Sequence, residues 1–157
     1  MSYIRRTVFF VFAALFHWWL STHFVIFGLA PQLLLVLTII VAARIGPIAA
    51  MCYGFAWGLF LDVYEPHLFG SKALTLTLVG YGVGAARRQI DVSGLAPLCV
   101  ITFSMTWAYY LTTGILGLLF MRIFFWVGWA PFLLGPVYNC LILPFAAWAW
   151  VALEEKA

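Results

Sequence analysis

TVFFVFAALFHWWLSTHFVIFGLAPQLLLVLTIIVAA, residues 7–43, contains no Asp, Glu, Lys or Arg. As a single helix it would be roughly 55 Å long at 1.5 Å per residue, far more than a hydrocarbon core of about 30 Å. The stretch must therefore fold back on itself. Gly28, Ala30 and Pro31 supply the break, because glycine suits the end of one helix and proline the first turn of the next. This reads as one span over 7–27 and a short second span over 31–43.

Downstream, a third apolar run covers 45–61 and stops at Asp62, after which Tyr64, Glu65, Pro66, His67 and Gly70 read as a loop. A fourth span over 71–86 ends at Arg87 and Arg88. The next two uncharged stretches predict spans over 96–119 and 132–152, joined by a stretch containing Arg122, Trp126, Gly128 and Trp129 that reads as an interfacial connection with an aromatic anchor. The expected fold is all-α, a single domain over 1–157 built as a polytopic membrane bundle of six transmembrane helices.

Composition agrees with that reading. Apolar residues make up 66% of the chain and charged residues only 8%, against roughly 25% charged in an average soluble domain, which rules out a water-soluble fold. The net charge of +3 is scattered between long uncharged runs. No basic face forms, so nucleic acid is excluded as a partner. Cys52, Cys99 and Cys140 lie in apolar stretches without a pairing pattern and read as buried thiols. A cleavable signal peptide competes for the N-terminus, since Arg5 and Arg6 precede an apolar run. That run is longer than a typical h-region, carries His17 and His23, and reaches Pro31 without a clear A-x-A site.

Orientation follows from the cations. Six crossings from a cytoplasmic N-terminus leave Arg5, Arg6, Arg44, Arg87, Arg88 and Lys156 inside, and Lys72 and Arg122 outside. If the second span did not cross, the same residues would divide evenly. The positive-inside rule favours six spans with both termini cytoplasmic.

Ala50, Gly54, Gly58 and Asp62 recur every four residues and form one stripe on a helix, and Gly80 and Gly84 repeat the device in the fourth span, with Arg88 next on its stripe. Small residues let backbones approach closely in lipid, so the stripes are either internal packing between spans three and four or a seam for a partner helix. Asp62, Glu65 and Gly70 would then mark a structured outer hairpin. A carboxylate at a helix C-terminus faces the helix's partial negative charge and needs compensation from Lys72, a nearby helix N-terminus or a partner's cation.

No catalytic constellation is present: the carboxylates are few and scattered, and no serine sits in an elbow motif. His17 and His23 are six residues apart, which puts them on different faces of a helix, so span one alone does not ligate a metal. Asn139 in span six reads as interhelical glue. The expectation is a non-enzyme with no cofactor and no metal.

The run Gly54-x3-Gly58-Leu-x2-Asp62-Val, followed by Leu68-x-Gly70-x2-Ala73-Leu, Leu78-Val-Gly80-Tyr and the basic pair Arg87 and Arg88, resembles the bacterial rod shape-determining protein MreD family. The resemblance implies a non-enzymatic inner-membrane scaffold of the cell-elongation machinery that makes peptidoglycan. It further implies work with the transmembrane helix of MreC, with MreB, and with RodA and its transpeptidase partner; a homodimer is also open. The family's fold is similar to that of the substrate-binding subunits of ECF-type vitamin transporters, so a small-ligand-binding transport subunit is the alternative. Against it, the outward connections offer only Gln32, Asp62, Tyr64, Glu65, His67, Lys72 and Arg122 to line a solute pocket. A cofactor-carrying redox protein is a third class, which haem absorbance would expose.

Overall fold

The computed structural model describes residues 3–23, 29–64, 68–92 and 94–155. They form α1 (Tyr3–His23), α2 (Leu33–Arg44), α3 (Pro47–Tyr64), α4 (Ser71–Ala86), α5 (Leu95–Met121) and α6 (Trp129–Glu155). The all-α architecture is the one expected. Glu65 and His67 lie outside the described residues.

The sequence Leu33–Arg44 is apolar on every side, and a helix of that kind is stable only when it is covered all round. The fold places α2 accordingly: it touches all five other helices, and every residue from Leu33 to Ala43 is buried. Within the buried run 33–43 the one polar residue, Thr38, donates back to the Leu34 carbonyl at 2.7 Å, so its hydroxyl has an acceptor inside its own helix.

Around α2 the chain is inverted relative to a soluble protein. Ile48, Phe120, Phe145 and Trp148 are all more than 70% exposed, while Asp62, Thr75, Thr106 and Asn139 are buried. An apolar exterior of this extent suits lipid and would be an aggregation liability in water. By length and apolarity α3, α5 and α6 are sufficient to cross a membrane; the apolar helices Val8–His23 and Leu33–Arg44 are shorter.

Two details depart from the sequence reading. The third helix begins at Pro47 rather than residue 45, because Gly46 adopts φ +132° and its N–H bonds back to the Val41 carbonyl. That is a glycine stop followed by a proline start, the asymmetry expected at a tight helix–helix joint. Cys52 is exposed on the outer face of α3, and Cys99 and Cys140 are only half-buried. The cysteines are thus not buried thiols of the bundle core: an apolar residue in a membrane helix can satisfy its hydrophobicity against lipid as well as against protein.

Aromatic packing ties α1 to the rest. The Trp57 ring of α3 is fully buried, lies parallel to Phe10 at 5.6 Å, and donates its indole N–H to the Phe10 carbonyl at 3.3 Å. Phe9 contacts Trp150 of α6 edge-on at 5.1 Å. These contacts fix α1 across α3 and α6 with a polar handle on an otherwise apolar cluster.

Candidate functional site

The small residues singled out in α3 and α4 meet each other. A Cβ built on Gly54 would sit 2.7 Å from the Leu76 carbonyl oxygen, and one on Gly80 2.9 Å from the Ala50 carbonyl carbon and oxygen. A Cβ on Gly58 would overlap the Ala73 backbone, at 2.5 Å from its nitrogen, and one on Gly84 would stand 2.5 Å from the Pro47 Cα. Along the pair, Pro47 faces Gly84, Ala50 faces Gly80, Gly54 faces Leu76 and Gly58 faces Ala73, so the two helices run antiparallel with backbones in contact. Such close approach is available only where the side chain is a hydrogen or a methyl, and in lipid it supplies the dispersion contacts that hold helices together.

Asp62 closes this seam. It is fully buried in the last turn of α3, and its carboxylate accepts the backbone N–H groups of Gly70 at 3.0 Å, Lys72 at 3.1 Å and Ala73 at 3.1 Å. Those amides belong to the start of α4, where Gly70 is the N-cap with φ +92° and has no side chain to offer. Ser71 N–H is taken by the Leu68 carbonyl and Leu74 N–H by Gly70, so the first-turn donors of α4 are all satisfied. Asp62 does the work of an N-cap residue from eight positions upstream. The unfavourable charge at the end of α3 is offset by the positive end of α4.

A second polar centre links helices distant in sequence. Asn139 of α6 accepts the Gln32 backbone N–H at 3.2 Å and donates to the Gln32 side-chain oxygen at 3.2 Å and to the Thr106 hydroxyl at 3.1 Å. It thereby caps the start of α2 and pins α2, α5 and α6 at one level. Interhelical hydrogen bonds in membrane proteins average about 0.6 kcal/mol and reach about 1.7 kcal/mol, so Asn139→Ala is expected to cost about 1–2 kcal/mol. The check is the thermal midpoint of the purified protein in detergent.

The sequence reading did not identify the fold-back of residues 122–128. Phe124 and Phe125 turn onto α5, where a Cβ on Gly114 would meet the Phe124 ring at 2.6 Å and one on Gly117 would overlap the Phe125 ring. The spacing of Gly114 and Gly117 against a following pair of phenylalanines is the signal that could have found it.

His17 is buried with Ser21 Oγ at 3.5 Å from its Nε2, whereas His23 is exposed and donates from Nδ1 to the Trp19 carbonyl at 3.0 Å. Among the described residues, no cluster of three His, Cys, Asp or Glu side chains is placed to hold a metal. At the end of the bundle that carries the α3–α4 turn, a cavity of about 540 Å³ opens over the start of α2.

Neither a curated protein nor a solved structure matches the chain. The family model for the rod shape-determining protein MreD matches residues 2–151. That match runs through all six helices and the seam that Asp62 closes, and on it the chain belongs to the rod shape-determining protein MreD family.

Proposed function

We propose that this membrane protein is a non-enzymatic scaffold of the cell-elongation complex, and that it holds the transmembrane helix of MreC in the bacterial inner membrane while peptidoglycan synthesis is under way. The observation that carries the reading is the family match along residues 2–151. MreB, and RodA with its transpeptidase partner, are the further components that a scaffold of this kind would gather. The geometry supports a structural role. The buried polar groups Asp62 and Asn139 are spent on backbone and side-chain partners within the bundle, and they join helices instead of converging on a substrate. Because the small-residue stripes of α3 and α4 are covered by each other, a partner helix would meet a different, lipid-facing surface.

The topology that goes with this role has six crossings and cytoplasmic termini, supported by the cation distribution. Single cysteines introduced next to Arg122 are expected to react with a membrane-impermeant maleimide in intact cells, and those next to Arg88 only after permeabilisation. Labelling of the Arg88 sites from outside would contradict this orientation. The functional test is depletion in the native cell. Rod-shaped cells should become round or swollen within a few generations and recover when the chain is resupplied. Normal shape with lost uptake of one vitamin would instead establish a ligand-binding transport subunit.

A further inference from the structure

At the end of the bundle opposite the Asp62 turn, α2 and α4 finish beside one cavity. Arg44 is the last residue of α2 and Arg87 the C-cap of α4, and both line a space of about 370 Å³ whose other walls are Ala43, Ile90, Asp91 and Val92. Arg87 Nη1 stands 3.8 Å from where a Gly46 Cβ would be, so this guanidinium lies against the joint that follows Arg44. Among the described residues, no carboxylate or carbonyl takes either guanidinium, and Asp91, the one carboxylate of the lining, is engaged elsewhere. A helix C-terminus favours a cation, which accounts for an arginine at each end but leaves its N–H donors open. Those donors form a planar fork that matches the oxygens of a phosphate. Ile45, Ile48 and Ile90 are exposed around the same end, and apolar surface of this kind suits acyl chains next to a headgroup.

We propose that Arg44 and Arg87 together bind a phosphate group in this cavity, carried by the headgroup of an anionic lipid or by a small soluble phosphate ester. Basic pockets between transmembrane helices hold lipid phosphates in this way, and two arginines converging on one space without a carboxylate between them gain from an anion that bridges them. The site is independent of the scaffold reading, since binding is measured on the purified chain and cell shape in the native cell, and it holds for either leaflet.

The test uses the full-length chain purified in neutral detergent and native mass spectrometry. The probes are sn-glycerol 3-phosphate and, in separate samples, dioleoylphosphatidylglycerol in mixed micelles, with phosphate-free dioleoylglycerol as the blank. Saturable one-to-one binding of at least one phosphate probe is expected. Retention of the lipid alone assigns a headgroup site, retention of glycerol 3-phosphate alone assigns a soluble ester, and retention of both assigns a site open to either. Arg44→Gln and Arg87→Gln should each weaken binding by about tenfold or more. Arg88→Gln makes the same charge change at the same end but outside the lining, and should leave binding unchanged. Ile90→Glu, which puts a carboxylate into the wall and leaves both arginines in place, should abolish it and remains informative if an arginine variant fails to fold. The proposal is overturned by no saturable binding of either phosphate probe, by lipid retention no better than that of dioleoylglycerol with no retention of glycerol 3-phosphate, by binding indifferent to Arg44→Gln and Arg87→Gln, or by equal weakening in Arg88→Gln, which would show surface charge alone.

Discussion

Replacing Gly58 with leucine is expected to destabilise the purified protein by about 3 kcal/mol or more, the upper end of the usual overpacking cost. The reason lies in what the new atoms meet. A Cβ at this position overlaps the Ala73 backbone and comes within 2.7 Å of the Lys72 carbonyl carbon, and backbone of a helix cannot rotate away as a flexible side chain can. α3 and α4 would have to separate along the seam, and the bonds from α4 to Asp62 would lengthen with them. For a chain of this size the loss corresponds to a fall of roughly 6–12 °C in the thermal midpoint. Gly82→Ala is the matched control: on the facing helix α4, its Cβ would meet only the Met105 methyl at 4.0 Å, and it should be neutral or slightly stabilising through helix propensity. If the stripe served a partner helix instead, Gly58→Leu would leave a stable monodisperse protein that no longer captures its partner.

The second large effect is at Asp62. Asp62→Ala removes one side chain and leaves three backbone N–H groups at the start of α4 without an acceptor, in a place where the carboxylate is fully buried. Each buried donor left unsatisfied costs about 1–3 kcal/mol, so a total loss of at least about 3 kcal/mol is expected. Asp62→Asn keeps one oxygen acceptor and the shape but turns an NH2 toward other donors, and it should fall between wild type and Asp62→Ala. Hydrogen exchange at Lys72 and Ala73 is the most local readout. Their amides should be protected in wild type, partly protected in Asp62→Asn and fast in Asp62→Ala. Equal stability of the three proteins would show that the carboxylate does not hold the hairpin.

These two sites differ in how they can be read from sequence. The four-residue spacing of Ala50, Gly54, Gly58 and Asp62 is visible because helical periodicity converts spacing into a face. The acceptor role of Asp62 left three candidates in the sequence, since its donors are backbone amides and carry no side-chain signature. The order of six helices was legible from uncharged runs broken by glycine and proline. The placement of Pro47 as the first residue of α3 was not seen, although Gly46-Pro47 is itself a stop–start pair. Asn139 reads as interhelical glue from its place in an apolar span, but its partners Gln32 and Thr106 carry no signal, and Gln32 and Asn139 are separated by 107 positions. Only the packing of α2 between α5 and α6 makes them one network. Cys52 was misplaced for a different reason, because hydropathy cannot distinguish the side of a membrane helix that faces lipid from the side that faces its neighbours.

The central claim is that the bundle is a scaffold for a membrane partner, and the most direct measurement is recovery of MreC with the affinity-tagged chain from detergent-solubilised native membranes. The account predicts near-stoichiometric recovery with the wild-type chain and with Gly82→Ala, and recovery that falls with Gly58→Leu and Asp62→Ala only in proportion to their loss of folded protein. A folded, monodisperse wild-type chain that recovers no MreC would contradict it.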